Sequence, residues 1–122
     1  MVVLMISVAS FAQSPYYKNF TVSVYARAYE VNEMADIKKL EQNWDIISQQ
    51  VKVDKIYLET HRDKLITDSK ALEQAIKFFK SKGLKVAGGI TYTMNESNNF
   101  ETFCYTNPEH RQKAKEIATY TA

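Results

Sequence analysis

The densest run of reactive side chains in the chain is Glu59-Thr60-His61-Arg62-Asp63. Glu59, His61 and Asp63 alternate, a spacing that puts three polar groups on one side of an extended strand. A metal site needs donors from other segments as well, and the second histidine, His110, falls within a separate helix after Pro108, so no metal is expected. Read as hydrolytic chemistry, Glu59 is a weak candidate for a general acid or base near a strand end. Hydrolysis of a glycosidic bond takes two carboxylates about 5 to 10 Å apart. Only Glu59 is aimed inward from a strand, with Asp63 and Glu96 as loop candidates, so the pair is incomplete. Glu59 therefore reads as a binding or supporting residue, and the catalytic residues stay unassigned. Read as sugar binding, Arg27, Glu59, His61, Arg62 and Asn95 offer hydrogen bonds to hydroxyls, and Tyr29 and Tyr92 offer rings to stack on a sugar face.

Other chemistries find less support. The 122 residues carry a net charge of +2, and no cluster of lysine and arginine interleaves with aromatics, so no nucleic acid is expected. The one cysteine, Cys104, excludes an intrachain disulfide and a zinc knuckle. Gly88-Gly89 lies inside a strand rather than at a strand-to-helix turn, which argues against a phosphate cradle. No cofactor motif stands out.

Three strand-helix units of about 30 residues must position these groups. The first strand covers residues 20–29 (FTVSVYARAY), and its helix covers residues 33–50, with Met34, Ile37, Leu40, Trp44, Ile47 and Val51 on one stripe. The second strand is residues 53–61. Its helix starts after Thr67-Asp68-Ser69, carries Leu72, Ala75, Ile76 and Phe79 inward, and stops at Gly83. The third strand is residues 84–93, followed by a polar loop over residues 94–106 and a helix begun by Asn107-Pro108-Glu109.

Each strand sorts into an apolar face and a mixed one. Val22, Val24 and Ala26, then Ile56 and Leu58, then Val86 and Ile90 make the first. Tyr25 and Arg27, then Tyr57, Glu59 and His61, then Gly89, Thr91 and Thr93 make the second. A doubly wound sheet wants both faces apolar. One apolar face against outer helices, with polarity rising toward the C-terminal strand ends, predicts the first three βα units of a parallel (β/α)8 TIM-type barrel, incomplete in this chain. Arg27 and Glu59 stand at similar heights on neighbouring strands, which predicts an inward ion pair between them.

Residues 1–11 (MVVLMISVASF) carry no charge, and Ser10-Phe11-Ala12 places small residues where a signal peptidase reads. Residues 1–12 read as a signal peptide truncated at its start, and residues 13–122 as the barrel segment, in the periplasm or outside the cell. The apolar run is too short to span a membrane.

Three stretches, residues 54–63 (DKIYLETHRD), 88–91 (GGIT) and 103–111 (FCYTNPEHR), resemble exported, glycoside-hydrolase-like (β/α) barrel proteins of polysaccharide-degrading bacteria. The resemblance covers almost all of residues 13–122. It implies a full barrel, a carbohydrate substrate, and a fourth strand rich in aspartate after the last helix, which this chain does not contain. Arg27, Glu59, His61 and Arg62 fall in its matching segments, and no catalytic residue carries over. Two other readings stand beside it: a carbohydrate-binding barrel without catalysis, and a small α/β domain for protein contacts.

Overall fold

The computed structural model describes residues 17–122, so the expected signal peptide, residues 1–12, lies outside the described residues. Three parallel strands form the sheet. β1 (Ser23–Ala26) and β4 (Lys85–Ile90) flank β2 (Lys55–Arg62), with Tyr25 opposite Tyr57 and Tyr57 opposite Ala87. A two-residue strand, β3 (Leu65–Ile66), folds back antiparallel on the end of β2. The helices are α1 (Ala28–Glu33), α2 (Ile37–Gln50), α3 (Ser69–Ser81) and α4 (Pro108–Thr121); β5 (Thr93–Asn95) and β6 (Glu101–Thr102) make a small separate hairpin. No helix among the described residues is long and apolar enough to cross a membrane.

The helices form where local chemistry starts them. Asp36 caps α2 by accepting from Lys38 and Lys39 N–H, Asp68 caps α3 by accepting from Ala71 N–H, and Asn107 caps α4 ahead of Pro108. Gly83 follows α3 at φ 82°, the left-handed turn that releases the chain into β4.

The apolar face of the sheet, Val24, Ala26, Ile56, Leu58 and Val86, packs against Val31 of α1, Leu40 and Trp44 of α2, and Ala75, Phe78 and Phe79 of α3. Each large side chain fully buried there stabilises the fold by about 1.5 to 3 kcal/mol. α4 reaches the same face further along: Thr121 meets Gly88, and its hydroxyl lies 2.5 Å from that of Thr60. The opposite face carries Tyr25, Tyr57 and Gly89. There the Tyr25 and Tyr57 rings stack between β1 and β2 at 6.3 Å, and Lys55 donates to the Tyr57 hydroxyl along β2 itself.

Four expectations need correction. β1 stops at Ala26 because Arg27 N–H and its guanidinium both donate to the Glu30 carboxylate, which reaches back to start a helix where the alternation predicts strand. Tyr29 consequently lies on α1. The helix expected over residues 33–50 starts later, at Ile37: Glu33 ends α1, and the Asp36 side chain opens α2. Finally, β4 ends at Ile90, and the expected loop over residues 94–106 holds most of the β5–β6 hairpin.

Candidate functional site

The site lies at the C-terminal ends of β1, β2 and β4, where β2 contains a bulge. Glu59 pairs with Gly89, but the next pairing is His61 with Ile90, so β2 spends an extra residue there. A bulge shifts the alternation of side chains by one. In a regular strand Glu59 and Arg62 would face opposite ways. Here both reach the same side, and the Arg62 guanidinium meets the Glu59 carboxylate through Nε on Oε2 at 2.8 Å and Nη2 on Oε1 at 2.9 Å. Asp63, at φ 54°, then turns the chain into β3.

Glu59 is completely buried. Besides Arg62 it accepts from Tyr25 Oη at 2.8 Å, from the Ala28 backbone N–H at 2.8 Å, and from the Thr91 hydroxyl. Five donors thus meet a carboxylate with about four lone-pair positions, so both oxygens are saturated. Burial alone would push this carboxyl up; the bonds from Arg62, Thr91, Ala28 and Tyr25 outweigh it and hold the group below the usual glutamate range. The same contact raises Arg62 further, while burial and then the neighbouring carboxylate raise the Tyr25 phenol. Tyr25 reaches Glu59 because Gly89 leaves room: a Cβ there would stand 2.8 Å from the Tyr25 ring.

The remaining nitrogen of Arg62, Nη1, bonds Glu96 Oε1. Glu96 arrives on the turn after β5. Its backbone N–H is held by Asp63 Oδ1 at 3.0 Å, and Asp63 N–H is held by Thr93 Oγ1 at 3.3 Å. The tight turn after β2 and the β5–β6 hairpin therefore brace each other.

The residues expected here divide sharply. Glu59 and Arg62 come together. Arg27 does not pair with Glu59: it caps α1, is 59% exposed, and binds Glu30, although its charge still feels Arg62 and Glu96. The buried partner of Glu59 is instead Arg62, because the bulge supplies a cation from the same strand. Tyr29 is exposed on α1. His61 is buried apart from the network, with Nδ1 3.2 Å from Thr91 O and its ring against Phe103. Tyr92 is no open stacking platform: it packs edge-on to Phe103 and its hydroxyl donates to Ala114 O at 3.4 Å. Asn95 Oδ1 accepts from Ser97 N–H within its own turn. Tyr25 and Thr91, which complete the cage around Glu59, lie on the mixed strand face without having been singled out, and their alternation with Arg27 and Thr93 was the available signal.

A buried carboxylate and a half-sheltered one on a single arginine, at the C-terminal ends of parallel strands, is an arrangement suited to holding polyhydroxylated ligands. The family model described as probable glycosyl hydrolase, catalytic domain, matches residues 9–122. The chain belongs to that family. No curated protein and no solved structure matches it. For a glycosyl hydrolase catalytic domain the substrate class is carbohydrate. The two carboxylates on Arg62 differ in capacity. Glu59 has neither a proton to give nor a free lone pair. Glu96 is partly exposed and takes one donor, from Arg62.

Proposed function

We propose that this chain is the N-terminal part of an exported glycoside hydrolase, and that its three parallel strands open a (β/α)8 barrel whose mouth binds sugar. The observation that carries this reading is the buried Glu59–Arg62 pair at the end of β2, on the face opposite the apolar core, where the start of α1 touches it through Ala28 N–H. In a barrel that face is the interior, and its C-terminal rim is where substrate binds. Family membership supports the reaction class. The outer edges of β1 and β4 have no strand partner among the described residues, and Ile37, Ile46 and Ile47 of α2 are exposed, both of which suit further βα units. Export rests on the apolar start of the sequence and its small residues before Gln13.

Within this reading Glu59 is a positioning residue. It fixes the Arg62 guanidinium, and Arg62 faces the ligand. The catalytic carboxylates come from later strands. The saturation of Glu59 also favours a second reading, a barrel that binds carbohydrate without cleaving it. The test is hydrolysis by the full-length protein of p-nitrophenyl glycosides and soluble polysaccharides. Release of nitrophenol or reducing ends supports the hydrolase; binding of the same polysaccharides in affinity electrophoresis without release supports the binder; neither result removes both.

A further inference from the structure

Arg62 has five N–H groups. Nε and Nη2 spend three on Glu59 and on Thr91 Oγ1, and Nη1 spends one on Glu96 Oε1, so one Nη1–H remains. Glu96 is 28% exposed in its side chain, and its Oε2 takes no hydrogen bond among the described residues. The site therefore holds one unused donor next to one unused acceptor, on partly exposed groups already held in place. Glu59 fixes the donor, and the Asp63 bond to Glu96 N–H fixes the backbone that carries the acceptor. A sugar hydroxyl both donates and accepts.

We propose, building on the glycoside hydrolase reading, that Glu96 and Arg62 together bind a hydroxyl of an uncharged sugar, with Glu96 Oε2 accepting and Arg62 Nη1 donating. The charges favour a neutral glycan over a uronate or a sulfated one. Three carboxylates, Glu30, Glu59 and Glu96, act on two guanidinium groups, Arg27 and Arg62, and each guanidinium already has its carboxylate. An anionic sugar would meet Glu96 with no spare cation to answer it. Glu96 is a substrate contact here, and Glu59, saturated, is not.

The experiment compares the full-length protein with its Glu96→Gln variant. Substrates are p-nitrophenyl glycosides of glucose, galactose, mannose and xylose, the matching neutral polysaccharides, p-nitrophenyl glucuronide and polygalacturonate. Gln offers one acceptor oxygen where Arg62 and the sugar need two. The wild type is expected to act on a neutral substrate, and Glu96→Gln is expected to raise its KM about 10-fold with kcat nearly unchanged, as loss of a contact made equally in ground and transition states does. Its thermal midpoint stays at the wild-type value, because Glu59 keeps Arg62 in place. A wild type that acts only on the uronates overturns the proposal and leaves the hydrolase reading standing, as does a Glu96→Gln variant with unchanged KM. A wild type that acts on none of these substrates overturns both.

Discussion

Arg62 grips Glu59 with two parallel hydrogen bonds, 2.8 and 2.9 Å, although the residues lie three apart on one strand. Only the bulge between them allows it. The pair is a buried carboxylate beside a guanidinium that is 15% exposed, so the acid is sequestered and the cation is the more accessible partner.

Glu59→Gln should destabilise the full-length protein by about 3 kcal/mol at neutral pH, the lower end of what breaking a buried ion pair costs. The pH dependence carries the sign. Glu59 is held below the usual glutamate value of about 4.3, so its contribution is present above that pH and is lost as pH falls through the folded value. Urea titrations from pH 7 to pH 3 should show the wild type losing its advantage over Glu59→Gln on the acid side. A gap between them that stays constant with pH would show that the carboxylate is not held ionised by its donors.

Gly89→Ala should weaken the same cage from the opposite side. The new Cβ would lie 2.8 Å from the Tyr25 hydroxyl and ring. Tyr25, 47% exposed, has room to swing out, at the loss of its bond to Glu59. The expected cost is about 1.5 to 3 kcal/mol, the size of a lost hydrogen bond to a charged group. In a Tyr25→Ala background the same substitution should be nearly neutral. Equal costs in the two backgrounds, read from denaturation midpoints, would mean that Tyr25 does not occupy the space over Gly89.

Gly88→Ala reports on α4. Its Cβ would stand 2.6 Å from Thr121 Cγ2 and 3.3 Å from Thr121 O. Overpacking of this kind costs about 1 to 3 kcal/mol. Thr121→Ser deletes Cγ2 and keeps the hydroxyl that faces Thr60, so the double variant should recover most of the loss. A neutral Gly88→Ala would mean that α4 does not seat on β4.

Much of the scaffold was legible in the sequence. The caps Asp68 and Asn107 start helices where their spacing said, and the apolar stripe from Leu40 to Ile47 belongs to one helix. The division of the strands into two faces follows directly from alternation. The site was legible only in part, and for two physical reasons. A bulge leaves no compositional trace, so Arg62 could not be seen turning toward Glu59, and Arg27 took its place in the expectation. Glu30 then competes for Arg27 locally, three residues away, which ends β1 early in a stretch whose residues otherwise favour strand. Glu96 was visible as a loop acid; its place on Arg62 depends on Asp63 and Thr93 bracing two turns distant in sequence.

The central claim is that the face bearing Tyr25, Tyr57 and Gly89 is enclosed in the complete protein. Tyr57 sits on the middle strand, deeper along it than Glu59. Cys104 is exposed and serves as an internal reference. In the full-length Tyr57→Cys variant, maleimide labelling followed by peptide mass spectrometry should modify Cys104 promptly and leave position 57 unlabelled until denaturant is added. Labelling at position 57 as fast as at Cys104 in the native protein would contradict the barrel, and with it the sugar-binding mouth.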